Sequence, residues 1–224
     1  MLKADLHVHT VYSPDSLSSP EAIVQCCLKV GINCLAITDH NSLAGARAVK
    51  KIAPFPIIAG EEIKTKSGEV IGFFLEEQIP KGLSAEETAI RIKEQKGLVC
   101  IPHPFDRVRR SPLRSEALEM LLPYIDIIEV FNSRTTFLSD CRKAQELAQK
   151  HGFLQGAGSD AHALAEIGGA YVEMPEFKDR DQFLSSLRQG RIAGKRANPL
   201  VHFASTYAKL RKAATHSLER KGFA

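Results

Sequence analysis

No apolar run in this 224-residue chain is longer than a strand, so no segment reads as a membrane span. Cysteine is scarce and odd in number, five residues with no Cys-x-x-Cys pair, which argues against a disulfide framework and for a reducing compartment. There is no Gly-x-Ser-x-Gly elbow, so a serine nucleophile on an α/β-hydrolase turn is excluded. There is no P-loop and no Gly-x-Gly-x-x-Gly strand–turn–helix, which removes nucleoside triphosphates and dinucleotides as cofactors. Repeats, Ser/Gly linkers and like-charge blocks are missing too. The first residues, Met-Leu-Lys-Ala-Asp-Leu-His, run into charge at once, and a cytoplasmic protein without a secretory leader is expected.

What is present suits one ordinary domain with a proper core: 44% hydrophobic and 25% charged residues. The formal charge of +4 is too small to imply nucleic acid by itself, but it is unevenly placed. From Arg188 to the end the chain carries +8, and the first 187 residues carry −4. The expected organisation is a body over residues 1–197 and a basic C-terminal helix over 198–224, opened by Asn198-Pro199.

Strand patterns alternate with helix patterns. Strands are expected near Ala4–His9, Asn33–Thr38, Phe55–Ala59, Glu69–Leu75, Leu98–Pro102, Ile125–Phe131, Phe153–Gly158 and Ala170–Met174. Ser19-Pro20-Glu21 opens a helix that Gly31 closes, and Ser84-Ala-Glu-Glu87 reads as a capping box for a helix ending at Gly97. Further helices are expected over Ser42–Ile52, Arg114–Leu122, Ser139–Gly152 and Asp181–Gln189. Apolar strands separated by amphipathic helices imply a parallel sheet covered by helices, with seven or eight units fitting a barrel better than an open sheet.

Chemistry in such folds collects at the carboxyl ends of the strands. Those ends here carry His7 and His9, Asp39 and His40, Glu61 and Glu62, His103, Glu129 and Asn132, and Asp160 and His162. Five of the eight histidines are in this set. His7 and His9, two apart on a strand, point the same way, with Asp5 one step deeper as a partner for the ring N–H groups. Asp160 and His162 repeat that spacing. Imidazoles with carboxylates and no cysteine suit zinc, manganese or iron, and more ligands than one ion needs imply a cluster of two or three divalent ions.

These motifs resemble a known family. Asp5-Leu-His-Val-His-Thr10 with Ser13 and Asp15, Thr38-Asp-His-Asn41, Gly60-Glu-Glu-Ile63, Pro102-His-Pro104 and Gly158-Ser-Asp-Ala-His162 resemble, in order over about residues 1–200, the motifs of PHP (polymerase and histidinol phosphatase) domains. The resemblance implies a distorted seven-stranded βα barrel, TIM-like, that hydrolyses phosphoesters with up to three metals. It implies His7, His9, Asp15, His40, Glu62, His103, Asp160 and His162 as ligands. Asp39 then supports them, and Glu61 is the alternative should the register slip by one. The sequence departs from the fullest family pattern at Glu69 and Asn132, where many relatives have histidine. Glu69, Glu129 and Asn132 are therefore further candidates.

Clustered metals would activate a water for in-line attack, with His40, Asp39 and the cation of Arg134 serving the reaction. Arg107, Lys195 and Arg196 are other candidate phosphate contacts. Tail residues Lys209, Arg211, Lys212, Arg220 and Lys221 read as a solvated helix face. His151, His202, His216, Cys26, Cys27, Cys34 and Cys100 read as structural or solvated rather than as site residues. The implied substrate is a small phosphorylated metabolite or a nucleotide, with no membrane partner. A nuclease using the basic tail, and a metal-binding module without turnover, stay open as alternatives.

Overall fold

The computed structural model describes residues 1–109, 113–198 and 200–221, apart from the side chains of 202, 204 and 216–221. The readings placed on Pro199 and on the side chains of His202, His216, Arg220 and Lys221 lie outside the described residues. The strands are β1 (Leu2–Val8), β2 (Cys34–Ile37), β3 (Ile57–Thr65), β4 (Gly68–Phe73), β5 (Leu98–Ile101), β6 (Ile125–Asn132), β7 (Leu154–Gly158), β8 (Ala170–Met174) and β9 (Arg191–Gly194). The helices are α1 (Pro20–Val30), α2 (Ala44–Ile52), α3 (Ala85–Glu94), α4 (Ser115–Leu121), α5 (Leu138–His151), α6 (Arg180–Arg188) and α7 (Val201–Lys221).

Local chemistry sets several of these ends. Ser19 Oγ accepts the Ala22 N–H with Pro20 in the first turn, and Gly31 closes α1 in the left-handed region at φ 78°. Ser84 Oγ accepts the Glu87 N–H at the start of α3. That helix stops earlier than the expected Gly97, because Lys96 takes the left-handed position at φ 58°.

The nine strands of the described residues form one sheet in the order β7-β6-β5-β4-β3-β2-β1-β8-β9. The seven expected barrel strands are β1 to β7, and β8 and β9 extend the sheet beyond β1. The sheet is not wholly parallel, as the alternation had implied. β4 runs antiparallel to β3 and β5, β8 runs antiparallel to β1, and β9 runs antiparallel to β8. The cause is local. β3 continues past Ala59 to Thr65, and the tight turn at Lys66 and Ser67 leaves no room for a crossover helix. β9, an exposed to half-buried strand without an apolar pattern, was not foreseen.

The sheet nearly closes where β7 returns to β1. Val8 bridges Ala161 in parallel, and the His9 N–H donates to the Ala161 carbonyl at 2.9 Å. Gly158 allows this approach, since a Cβ there would lie 2.3 Å from His7 Cβ. One apolar cluster fills the interior, drawing Leu2, Ala4 and Leu6 from β1, Ile58 from β3, Ile71 and Phe73 from β4, and Ile127 from β6. Phe183 and Leu187 of α6 complete it. Two outer clusters seat the covering helices, one under α1 and α2 and the other under α3, α4 and α5. The molecule is an α/β barrel-like domain, filled with hydrocarbon at one end. Its polar residues are gathered at the other.

Candidate metal centre

β1 and the residue that follows it supply His7 and His9 through an irregularity. Leu2, Ala4 and Leu6 belong to the interior cluster, Val8 belongs to an outer one, and the register with β2 slips between Asp5 and Val8. The slip brings His7 and His9 inward, where strict alternation after Leu6 would turn them out. Asp5 therefore does not share their face. Its Oδ1 accepts the N–H of Ser159 at 2.8 Å and of His7 at 3.3 Å, and its Oδ2 accepts the Gly168 N–H at 3.0 Å. Asp5 ties backbone to backbone, and burial holds its carboxyl up at about 6.

Other residues orient the imidazoles. His7 Nδ1 lies 2.9 Å from Glu129 Oε1, while Glu129 Oε2 accepts the His103 N–H and the Asn132 amide, each at 2.9 Å. Asn132 also donates to Asp160 Oδ2 at 3.3 Å and accepts the Arg134 N–H at 2.9 Å. His9 Nδ1 lies 3.0 Å from Ser13 Oγ, which donates to Asp39 Oδ1 at 2.6 Å. Asp39 further binds the N–H and hydroxyl of Thr10, each at 2.7 Å. Gly45 of α2 leaves it room, since a Cβ there would lie 1.8 Å from Asp39 Oδ2. Such a network turns the Nδ1 edge of each ring towards Glu129 or Ser13 and leaves Nε2 facing the pocket. The two Nε2 atoms face each other across 3.1 Å.

Around those nitrogens the remaining candidates converge. Glu62 Oε2 lies 3.5 Å from His7 Nε2, 3.4 Å from His9 Nε2 and 3.0 Å from His40 Nδ1. Asp160 Oδ1 lies 3.6 Å from His7 Nε2 and 3.4 Å from His9 Nε2. Asp15 is 3.3 Å from both His40 Nε2 and His162 Nε2, and His103 Nε2 is 3.2 Å from Glu62 Oε1. Four sets come within metal-sharing reach: His9, His40 and His162; His7, Glu62 and His103; His7, His9 and Asp160; His40, Glu62 and Glu69. Glu62 belongs to two of them. Its neighbour Glu61 points elsewhere and accepts the Ile79 N–H at 2.9 Å.

The donor set fits divalent cations. Asp15 Oδ1, Glu62 Oε2 and Asp160 Oδ1 are buried and have imidazole nitrogens 3.0–3.6 Å away without an aligned hydrogen bond, and His103 Nδ1 is buried without a hydrogen-bond partner. Carboxylates and imidazoles buried together without aligned hydrogen bonds are costly, and a divalent cation taking the place of protons on the ring nitrogens would satisfy both. Burial, with His162 and His40 alongside, holds His9 well below its usual range, and burial brings His162 to about 3. Both rings are thus neutral, the form that ligates. Against burial, Glu129 and Glu62 raise His7 to about 10. Against burial, His40 and His7 hold Glu62 low. Two site residues, His103 at φ 30° and Asp160 at φ 55°, sit in the left-handed region, as strained residues often do where a site dictates geometry.

A cavity of about 510 Å³ opens over the cluster, with Asp15, His40, Glu69, Arg109, Arg134, His162 and Lys209 in its wall. Arg109 contacts Asp160 and was missed in the sequence, where it is one of several arginines in a loop. Arg134 is committed to neighbours: Nε to Glu166 at 3.1 Å, Nη1 to His162 Nδ1 at 2.8 Å, and Nη2 to Ser205 Oγ at 2.6 Å. Arg107 pairs with Asp140 and Arg196 with the Thr136 carbonyl, and neither lines this cavity. Lys195 is fixed by backbone bonds to Gly169 and Ser133. The tail is not simply solvated. Lys209 Nζ lies 3.1 Å from Asp15 Oδ2, and Lys212 Nζ donates to the Val11 and Ser13 carbonyls at 2.5 Å.

Known proteins resemble this chain in sequence and in fold. A PHP domain model matches residues 5–68, and a PHP-associated model matches residues 139–192. An uncharacterised protein of Methanocaldococcus jannaschii is 42% identical over 178 residues, spanning 78% of this chain and 71% of that one. Among solved structures, a two-domain protein from Bacteroides vulgatus containing a predicted PHP-like metal-dependent phosphoesterase has a TM-score of 0.68 at 18% identity, covering 87% of this chain and 65% of that one. A lesion-specific endonuclease from Pyrococcus furiosus has a TM-score of 0.64 at 20% identity, covering 88% and 59%. At such identities these two structures show the fold alone. The motif order, the barrel and the sequence matches together establish that this chain belongs to the PHP domain family.

Proposed function

We propose that this protein is a metal-dependent phosphoesterase that hydrolyses a phosphomonoester or a nucleotide. The observation that carries the reading is the convergence of His7, His9, His40, His103, His162, Asp15, Glu62 and Asp160, whose carboxylate oxygens lie buried among imidazole nitrogens without aligned hydrogen bonds. These residues would hold two or three zinc, manganese or iron ions, with Glu69 at the edge of the set. Bound ions would lower the pKa of a water and offset charge on the phosphoryl oxygens. Glu129 and Asn132 keep His7 and Asp160 aligned, and Asp39 does the same for His9 through Ser13. His40, half-buried at the cavity wall, is placed to exchange a proton with the leaving group or to ligate. Arg109 offers a guanidinium beside Asp160, and Arg134 braces His162 against α7.

The endonuclease neighbour and the basic α7 beside the site support a second reading, a nuclease acting on a phosphodiester. One experiment separates the readings: elemental analysis of the purified protein, followed by turnover assays on sugar phosphates, nucleotides, histidinol phosphate and single- and double-stranded oligonucleotides. Two or three ions per chain with release of phosphate from a small ester is the expected result. Cleavage confined to oligonucleotides supports the second reading. Full metal loading with no turnover on any substrate refutes both.

A further inference from the structure

The basic tail carries the most informative feature outside the ligand set. Ser205, Lys209 and Lys212 recur at helical spacing, so they share one face of α7. That face lies on the mouth of the barrel. Arg134 grips its first turns through the Val201 carbonyl at 3.0 Å and Ser205 Oγ at 2.6 Å. Lys212 grips it further along through the Val11 and Ser13 carbonyls. Between these clasps, Lys209 is delivered to Asp15, 3.1 Å away.

Lys209 also separates two cavities. On one side is the cavity over the cluster. On the other is a groove of about 740 Å³, with Val11, Pro14 and Leu17 on one wall and Lys209, Arg211, Lys212, Ala213 and Thr215 on the other. One wall is apolar and the other carries three cationic side chains, and Lys209 lines both cavities.

We propose that α7 is part of the substrate-binding surface: Lys209 contacts the phosphate at the cluster, and the groove beyond it takes a leaving group that has an apolar part and a further negative charge. The inference rests on the phosphoesterase reading and deepens it. Lys209 is held by Asp15 in the structure described here. A divalent ion on Asp15 would satisfy that carboxylate and leave the ammonium to an incoming phosphate oxygen. Arg211, at the groove wall, would meet the second charge, while Lys212 keeps its clasp on the β1–α1 loop.

The test reads binding, so it does not depend on turnover. Manganese-loaded wild type, Lys209→Met and Lys209→Arg are titrated calorimetrically with inorganic phosphate, with metal content measured on each sample. Lys209→Met should weaken phosphate about tenfold at unchanged metal stoichiometry, and Lys209→Arg should recover most of the loss. α,β-Methylene adenosine diphosphate, which carries a ring and two phosphoryl groups, should bind wild type about tenfold more tightly than phosphate, and Arg211→Ser should remove most of that advantage. Several results overturn the proposal: no phosphate binding by wild type, equal affinity in Lys209→Met, loss of metal in that variant, or no preference for the diphosphate analogue. A protein that binds phosphate through Lys209 yet turns nothing over refutes the hydrolase and leaves this surface standing.

Discussion

The two ends of the barrel interior are built from the same strand faces and differ in what fills them. On β3 the inward column runs Ile58, Gly60, Glu62; on β6 it runs Ile127, Glu129; on β4, which runs the other way, Phe73 and Ile71 lead back to Glu69. At one end Phe73, Ile58, Ile127 and Phe183 are essentially fully buried. At the other His7, His9, Glu62 and Asp160 are just as buried. Burial is equal, yet its energetics are opposite. A large apolar side chain gains ~1.5–3 kcal/mol on burial, whereas a buried carboxylate without a full set of partners costs several. The difference teaches that the hydrocarbon end carries the cost of a polar end whose donor set cations would complete.

The largest effect that would test this contrast is at the polar end. His9→Ala should abolish turnover. It should also abolish the stabilisation that metal gives wild type, about 2.7 kcal/mol at a hundredfold excess over Kd, read from urea midpoints with and without manganese. Equal metal stabilisation in the variant would break the comparison. At the apolar end, Phe183→Ala should cost about 3–5 kcal/mol in the same titration while the folded protein keeps its metal stoichiometry. Metal loss there would mean that the two ends are not separable.

A smaller effect sharpens the border between them. Glu129→Gln keeps the shape but weakens the acceptor for His7, and should reduce metal affinity about 10–100-fold, measured by competition with a chelator. The smallest effect concerns thiols. Burial raises Cys27 and Cys34 to about 12 and Cys100 well above its usual value. Their folded values exceed the unfolded ones, so the contribution to stability is complete below about pH 9 and is lost as pH rises towards 12. Native protein at pH 8 should therefore react with a thiol reagent far more slowly than urea-unfolded protein. Rapid labelling of all five in the native state would contradict an interior closed at that end.

Much of this was legible residue by residue. The alternation of apolar runs and capped helices located eight of the nine described strands, and Ser19-Pro20 and Gly31 marked the ends of α1. The histidine positions at strand ends pointed to one pocket, and the structure does bring those residues together; their role as ligands is what the motif resemblance proposes. The antiparallel β4 was hidden because a hairpin strand and a crossover strand look alike when both are apolar. The face of Asp5 was misjudged because a slip in pairing leaves no trace in a one-dimensional pattern. Arg109 and Lys209 looked like ordinary surface charges, since nothing local shows that a loop or a helix will be laid across a site.

Composition and spacing by themselves determined the chemistry of this chain: imidazoles and carboxylates at strand ends, no cysteine among them, and strands apolar enough to be buried on both faces. Those properties are local, set by side-chain type and the two-residue period of a strand. Tertiary structure alone decided which nitrogens face each other, which carboxylate lies between them, and that the basic tail returns to the mouth of the barrel. Each of those depends on contacts between residues far apart in the chain, and such contacts exist only once the sheet has curled back on itself.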